Sequence, residues 1–141
     1  MTIDMEKLMQ NISDAWNSHD VDKLLSLFAE NCVYEDVPMA ALKKGKEELH
    51  NFFGEFFVGF PDFKFEIRNR FSTAENICME WFITGTHLGD LSNRPATGRT
   101  ISARGVGVVE VIDGKISRYV DYYDMAIMLR QLGVAPAPPQ V

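Results

Sequence analysis

Two alternating segments joined by a tight turn constrain the fold more than any other part of the chain. Apolar and polar residues alternate over 100–111, and alternation resumes over 116–124 after Asp113-Gly114-Lys115. An Asp-Gly pair between two such segments is typical of hairpin-connected strands. Side chains alternate between the faces of a strand, so Asp121 and Asp124 lie on opposite faces of the second one. A carboxylate that is buried there needs partners or a shifted pKa.

The remaining segments complete an α+β pattern, in which helices cover one side of a curved antiparallel sheet. The predicted helices span 4–18, 21–29, 45–57 and 125–132, and the predicted strands span 32–37, 63–71, 77–87, 100–111 and 116–124. Residues 38–44 are predicted to form an irregular loop, and 88–97 a second loop. We expect a single domain over 1–134, followed by a loose Pro-rich tail over 135–141.

Composition and charge exclude several classes of protein. A net charge of −6 and a pI near 5.0 argue against nucleic-acid binding, which favours basic surfaces. The sequence predicts no membrane-spanning segment and no signal peptide. Cys32 and Cys78 lie in apolar segments and are predicted to be buried thiols of a cytoplasmic protein. The three histidines are scattered, so no metal site is expected.

Several motifs follow one another in an order that occurs in a known family. They are Ala15-Trp16-Asn17-Ser18-His19-Asp20, Tyr34-Glu35-Asp36-Val37-Pro38, Gly85-Thr86-His87-Leu88-Gly89, Ala96-Thr97-Gly98-Arg99, 107–116 and Tyr122-Tyr123-Asp124. The chain resembles the SnoaL-like polyketide cyclases of the nuclear transport factor 2-like superfamily, whose relatives include limonene epoxide hydrolases and ketosteroid isomerases. The resemblance implies a cone-shaped sheet around a cavity for a small apolar molecule, no cofactor, and a homodimer that pairs through the sheet face.

Alternation within that fold assigns the side chains that face the cavity. The predicted lining residues are Trp81, Ile83, Gly85 and His87 on one strand, Ala103 and Gly105 on the next, Tyr123 on the last, and Met39, Phe56 and Phe60 near the mouth. Trp81 and Ile83 are interpreted as apolar wall. The glycines at 105 and 107 indicate either a bend or bulge of the strand or an enlarged pocket. We favour a solvated or capping role for His87 over a role at the pocket rim.

Asp121 is the first candidate for catalysis. The resemblance places it where the cyclases carry the acid/base aspartate of an intramolecular aldol closure. Such chemistry needs a carboxyl group whose pKa is raised by desolvation in an apolar cavity. The alternative is a structural aspartate that is bonded to the backbone or to a tyrosine. Asp124 is predicted to cap the C-terminal helix.

Asp36 and Tyr34 are the next candidates. Asp36 matches the proton-shuttling aspartate of the ketosteroid isomerases, although Val37 intervenes before the proline; its alternative role is to cap the following loop. The two inward carboxylates could share a proton or divide acid and base roles. Tyr34 matches a water-binding tyrosine of the epoxide hydrolases, and its alternative role is aromatic packing with a satisfied hydroxyl.

The chain also departs from each relative. Trp81 and Ile83 occupy positions where the epoxide hydrolases carry an arginine and a second aspartate. Ile12 and the region near Gly107 lack the oxyanion-hole residues of the ketosteroid isomerases. Three hypotheses remain: a cofactor-free acid/base enzyme with Asp121 at its centre, a module that only binds a small molecule, and a dimerisation scaffold. A hydrolase of the epoxide-hydrolase type is a further alternative to the cyclase or isomerase reaction.

Overall fold

Helices precede and follow a six-stranded sheet in the part of the chain that the computed structural model describes, residues 4–91 and 94–134. The elements in chain order are α1 (Met5–Ser18), α2 (Val21–Leu25), β1 (Phe28–Asp36), β2 (Ala41–Lys44), α3 (Gly45–Gly59), β3 (Lys64–Ser72), β4 (Asn76–Thr86), β5 (Thr100–Ile112), β6 (Lys115–Tyr123) and α4 (Met125–Gln131). The α+β class is therefore confirmed. The tail predicted over 135–141 lies outside the described residues.

The sheet is mixed, whereas the sequence analysis predicts an antiparallel one. Its strand order is β2-β1-β6-β5-β4-β3, and every neighbouring pair is antiparallel except β1 and β6, which are parallel. The hairpins from β3 to β6 return the chain to the edge of β1 in the parallel direction. Alternation of apolar residues records which face a side chain occupies, but it carries no information on strand direction.

Two element predictions in the first part of the chain are wrong. The helix predicted over 21–29 ends at Leu25, and Phe28 already begins β1 and pairs with Ile116 of β6. A single buried phenylalanine fits a helix face and a strand face equally well, so the boundary was ambiguous. The predicted loop over 38–44 contains β2, an edge strand whose Leu42 is 51% exposed. It lacks a buried face, and therefore it lacks the apolar alternation that signals a strand.

Aromatic rings fill much of the space between the helices and the concave face of the sheet. Trp16 of α1 contacts five phenylalanine rings, with ring centroids 5.2 to 6.4 Å apart: Phe53, Phe56, Phe57, Phe63 and Phe65. Burial of these rings contributes to the apolar contact that attaches α1 and α3 to the sheet. The two buried aspartates of the inner face lie on the other side of it, on β1 and β6.

Helix α4 begins and ends with specific hydrogen bonds. The carboxylate of Asp124 accepts a hydrogen bond from the backbone N–H of Ala126 at 2.9 Å, which confirms its predicted capping role. At the other end, the Gln131 amide bonds both the N–H and the carbonyl oxygen of Ser102, each at 2.9 Å. The amide therefore takes the place of a neighbouring strand where β5 extends beyond β6.

The outer face of the sheet carries exposed apolar side chains. Tyr122 is 47% exposed and Ile112 is 62% exposed. Homodimerisation through this face stays a prediction. No helix within 4–91 and 94–134 is both long enough and apolar enough to cross a membrane.

Glycines 105 and 107 make room for two side chains of the inner face. A Cβ atom at Gly105 would overlap two ring carbons of Trp81 and lie 2.7 Å from the carbonyl oxygen of Tyr122, and one at Gly107 would lie 3.2 Å from Oδ1 of Asp121. Pairing is continuous through both positions, and the register shift of β5 lies between Glu110 and Val111. Neither a bulge at these glycines nor an enlarged pocket at Gly105 is present, because the indole fills the space.

We predict that Gly105→Ala destabilises the protein by about 3 kcal/mol, because the added methyl group has to displace a buried indole and a backbone carbonyl. Urea unfolding with linear extrapolation measures the free energy of unfolding. Gly54→Ala is the matched control: its Cβ atom would lie 4.0 Å from Val21, an ordinary contact, within helix α3. That change should stabilise the protein by about 0.5–1 kcal/mol. Equal effects of the two substitutions would contradict the role assigned to Gly105.

Candidate active site

The parallel pairing of β1 with β6 brings two aspartates together on the inner face of the sheet. Asp36 is the register partner of Asp121, and Tyr34 is the partner of Tyr119. All four side chains are buried, with exposed fractions between 0 and 7%. Each tyrosine–aspartate hydrogen bond crosses the two strands diagonally: Tyr34 bonds Asp121, and Asp36 bonds Tyr123. In both cases the β6 residue lies two positions after the register partner of the β1 residue. The strand register therefore selects which tyrosine serves which carboxylate.

Both oxygens of the Asp121 carboxyl group accept hydrogen bonds from aromatic side chains. The Tyr34 hydroxyl donates a short hydrogen bond to Oδ2, and the Trp81 indole N–H donates to Oδ1 at 3.1 Å. Burial raises the pKa of Asp121 to about 7; the two hydrogen bonds oppose this rise and the charge of Asp36 adds to it. The carboxyl group therefore populates both its neutral and its ionised form near neutral pH.

Asp36 caps the following loop, as one of its two predicted roles requires, and its side chain also lies on the inner face; its proton-shuttling role stays a prediction. Its carboxylate faces inward and accepts hydrogen bonds from the Tyr123 hydroxyl at 2.9 and 2.8 Å, and Oδ1 also accepts the Met39 N–H at 3.1 Å. It thus caps the loop after β1 while it occupies the inner face. Burial raises the pKa of Asp36, and hydrogen bonds from Tyr123 and Met39 oppose that shift.

The solvent side of the cluster lies around the Asp36–Tyr123 pair. Tyr123 is half-buried, whereas Tyr34 and Tyr119 are only 3% and 0% exposed. Met39, in the adjoining loop, is 54% exposed, and its place near a pocket mouth stays a prediction.

Tyr119 is an inner-face residue to which sequence reasoning assigned no partner. Its ring lies between those of Phe28 and Tyr34, with centroids 6.1 and 5.2 Å away, and its hydroxyl oxygen accepts the Trp16 indole N–H at 3.3 Å. Burial and the charge of Asp121 raise the pKa of this phenol well above its usual value. The same causes raise the pKa of Tyr34, so both phenols are neutral donors in the working pH range.

Trp81 has a second role that sequence reasoning missed. It was interpreted as apolar wall, and its ring does pack between Phe65 and Tyr123. Its indole N–H, however, is one of the two groups that hold Asp121. The available signal was that a buried indole needs an acceptor for its N–H, and that the glycines of the intervening strand let the indole lie across it.

The remaining predicted lining residues lie farther along the inner face, away from Asp121. Ile83 and Ala103 are each 7% exposed, and they are register partners on β4 and β5. Phe60 covers Gly85, since a Cβ atom at Gly85 would lie 3.3 Å from the Phe60 ring. Phe56 is half-buried and contacts Phe60 at a centroid distance of 5.2 Å.

His87 is not solvated, so that part of the expectation is wrong, whereas its Nδ1 does cap the adjoining loop by accepting the backbone N–H of Thr97 at 3.2 Å. The side chain has no exposed surface, and its ring stacks on Phe60 at a centroid distance of 5.3 Å. It follows β4 directly and continues the inward face that carries Trp81 and Gly85. A position at the end of a strand, next to a loop, suggested contact with water, but neighbouring residues such as Phe60 cover the side chain completely.

Two open surface grooves lie outside the aspartate cluster. Their volumes are about 630 and 670 Å³, and the groups that border them include Asp62, Lys64 and Thr84, but none of the cluster residues. Within the described part of the chain, no group of histidine, cysteine, aspartate or glutamate side chains is arranged to hold a metal ion.

Fold and site together define the chain as an α+β protein with a mixed, open sheet and buried acidic groups on its inner face. A protein of ketosteroid isomerase-like fold from Catenulispora acidiphila DSM 44928 has this architecture, with a TM-score of 0.80. The match covers 92% of this chain and 94% of that one at 17% sequence identity, which establishes the fold alone.

The chain belongs to the SnoaL-like polyketide cyclase family, which it matches over residues 6–132. The aklanonic acid methyl ester cyclase DnrD of Streptomyces peucetius is 41% identical over 49 residues, 35% of this chain and 34% of that protein. The match thus spans about a third of that relative's length. Core atranone cluster protein 11 of Stachybotrys chlorohalonatus is 27% identical over 127 residues, 84% of this chain and 86% of that protein.

We predict that the ionisation of Asp121 makes the protein less stable as pH rises from about 4 to about 7. The pKa is raised in the folded state, so folding favours the protonated form, and the stabilisation is complete only below the unfolded value of 3.8. A rise of about three pKa units corresponds to roughly 4 kcal/mol. Asp121→Asn should remove this pH dependence. Denaturant unfolding of both proteins between pH 4 and pH 8 measures the difference.

Carbon NMR of the Asp121 carboxyl group tests the causes of the same shift. Asp36→Asn removes the neighbouring charge and should lower the pKa of Asp121, whereas Tyr34→Phe removes a donor and should raise it. A carboxyl group that titrates near 4 in the wild-type protein would show that desolvation does not control this site.

Proposed function

We propose that the protein is a cofactor-free enzyme of cyclase or isomerase type, in which Asp121 moves a proton on a small apolar substrate. One observation carries this proposal. The Asp121 carboxyl group lies almost completely buried on the inner face of the sheet, accepts one O–H and one N–H hydrogen bond, and has a pKa of about 7. An acid or base works best when its pKa is near the operating pH.

In the proposed reaction, the ionised Asp121 takes a proton from the carbon next to a substrate carbonyl. The C–H bond breaks, and its electron pair moves into the enolate. In a ring closure, the enolate carbon then bonds to the carbon of a second carbonyl group of the same molecule, whose C–O π bond breaks to leave an alkoxide. In an isomerisation, the enolate instead takes a proton back at another carbon. The neutral Asp121 returns its proton to the alkoxide or to that carbon, so the carboxylate is regenerated and no redox partner is needed.

The surrounding donors have supporting roles in this scheme. Tyr34 already donates to Oδ2 of Asp121, and its hydroxyl can turn to an enolate oxygen that lies beside that atom. Trp81 holds Oδ1 and fixes the plane of the carboxyl group. Asp36, bonded to the half-buried Tyr123, favours the protonated form of Asp121 through its charge.

Family membership supports the cyclase class of reaction. DnrD is an aklanonic acid methyl ester cyclase, and its similarity to this chain covers about a third of its length. That similarity supports a cyclase class of reaction for this chain.

A non-catalytic binding module is the second candidate, because both oxygens of Asp121 already accept hydrogen bonds. A carboxylate that is satisfied in this way also suits a structural role. The epoxide-hydrolase alternative has less support. The groups that hold Asp121 are a phenol and an indole, and no guanidinium is among its described hydrogen-bond partners.

We expect the protein to accelerate exchange of the α-protons of 2-tetralone, an apolar ketone with an activated C–H bond, for deuterium. Asp121→Asn should slow this exchange at least about 100-fold, the range for loss of a general base. The rate should rise with pH and level off above about 7, because the base is the ionised form. Proton NMR in D₂O at several pH values follows the exchange.

Asp124→Asn is the matched control for this experiment. It alters a carboxylate only three residues away, and asparagine is as good an N-cap as aspartate, so helix α4 and the exchange rate should be unchanged. Retention of ketone binding in Asp121→Asn with no exchange in the wild-type protein would favour the binding module instead.

A further inference from the structure

His87 is the other polar side chain that is buried on the inner face, and the proposed reaction does not use it. The side chain has no exposed surface and stacks on the Phe60 ring. Its backbone is fixed on the extension of β5, because its N–H donates to the Arg99 carbonyl and its carbonyl accepts the Gly98 N–H, each at 2.8 Å. The imidazole is therefore held in one place from both its backbone and its ring face.

The hydrogen bonds at Nδ1 determine the tautomer of this imidazole. The backbone N–H of Thr97 donates to Nδ1 at 3.2 Å, and the Thr97 hydroxyl lies 3.0 Å from the same nitrogen. Because the Thr97 N–H is directed at Nδ1, we assign Nδ1 as the acceptor, and the Thr97 hydroxyl, which can rotate, as a second donor to it. The neutral ring must then carry its proton on Nε2.

The Nε2–H group has no hydrogen-bond partner among the described residues, although it is fully buried. A buried donor without an acceptor is costly, and proteins rarely keep one unless another molecule satisfies it. The other inner-face donors differ in this respect: the indole N–H groups of Trp16 and Trp81 both have acceptors. His87 thus presents a single fixed donor inside an apolar environment.

We propose that the Nε2–H of His87 binds an acceptor oxygen, such as a carbonyl, of an apolar ligand that occupies the inner face. The ring of Phe60 would cover the ligand atoms beside that oxygen. His87 lies six residues beyond Trp81, which corresponds to roughly 20 Å along an extended strand. This binding point is therefore separate from the Asp121 cluster. In a long ligand, His87 would bind the end that lies away from Asp121.

This inference rests on one part of the proposed function, namely that an apolar molecule enters the inner face, and it does not need catalysis at Asp121. A protein that only binds its ligand would use His87 in the same way. The experiment below therefore measures binding and the state of the imidazole, and it is independent of proton exchange.

The ligand test uses 9-fluorenone and fluorene, two rigid tricyclic molecules of nearly the same shape that differ in one carbonyl oxygen. In the wild-type protein with ¹⁵N-labelled histidine, NMR should show His87 as the Nε2–H tautomer. Fluorenone should shift the Nε2–H proton resonance, and fluorene should leave that resonance almost unchanged. An Nδ1–H tautomer, or equal responses to the two molecules, would overturn the proposal.

Two substitutions divide the functions of the imidazole. In His87→Asn, the amide can replace Nδ1 as the acceptor for Thr97 but cannot reach the place of Nε2; in His87→Gln, the amide N–H₂ group reaches that place. We expect His87→Asn to weaken fluorenone binding about tenfold and fluorene binding less than twofold, the range for one hydrogen bond. His87→Gln should restore most of the fluorenone affinity.

The outcomes separate this inference from the proposed function. Loss of the fluorenone preference in His87→Asn alone supports the binding point, even if Asp121→Asn leaves proton exchange unaffected. Equal loss of fluorenone and fluorene binding in both His87 variants would assign the histidine a purely structural role. Absence of measurable binding of either molecule to the wild-type protein would also contradict the proposal.

Discussion

Burial of two carboxyl groups on adjacent strands is the constraint on which the rest of the inner face depends. Asp36 and Asp121 are register partners, and a carboxylate that leaves water without compensation is strongly disfavoured. The fold compensates each with hydroxyl or N–H donors: Tyr123 and a backbone N–H for Asp36, Tyr34 and Trp81 for Asp121. The compensation is incomplete at Asp121, since desolvation still dominates its pKa. That imbalance leaves the pKa of Asp121 near neutrality, which is the condition that the proposed acid/base role requires.

The positions of these donors depend in turn on residues that form no hydrogen bond to either carboxyl group through their side chains. The Trp81 indole reaches Asp121 only because Gly105 has no side chain, and the carboxyl group lies against Gly107 for the same reason. The diagonal tyrosine bonds need the parallel register of β1 and β6, which the hairpins from β3 to β6 bring about. Packing of Trp16 against phenylalanines of α3 and β3 closes the other side of the face and places the indole N–H that donates to Tyr119. The hydrogen-bond geometry of the Asp121 carboxyl group thus depends on glycines, strand register and ring packing in distant parts of the sheet.

Sequence reasoning predicted the faces of the strands well and the relations between strands poorly. Alternation placed Tyr34, Asp36 and Asp121 inward, because every second side chain of a strand lies on the same face and the sequence shows that spacing directly. It could not predict that β1 and β6 are parallel, because direction and register depend on how distant segments meet. Edge strand β2 was missed because its exposed residues carry no alternation. The role of Trp81 and the burial of His87 depend on which side chains lie across the sheet, and no local pattern records that.

The position of the two buried donor sites bears on how this fold would select a substrate. Trp81 lies on β4, and His87 follows that strand on the same face and is bonded to Arg99 and Gly98, so the distance between the two side chains is fixed. If one oxygen of a ligand is bound at His87, the rigid strand determines how far from it a reacting carbon must lie to reach Asp121. A shorter molecule could satisfy one site only, and it would leave a buried donor or the acid unmatched. Because an unmatched buried polar group discriminates more strongly than a missing apolar contact, selection would act on the spacing of oxygens along the molecule more than on its bulk.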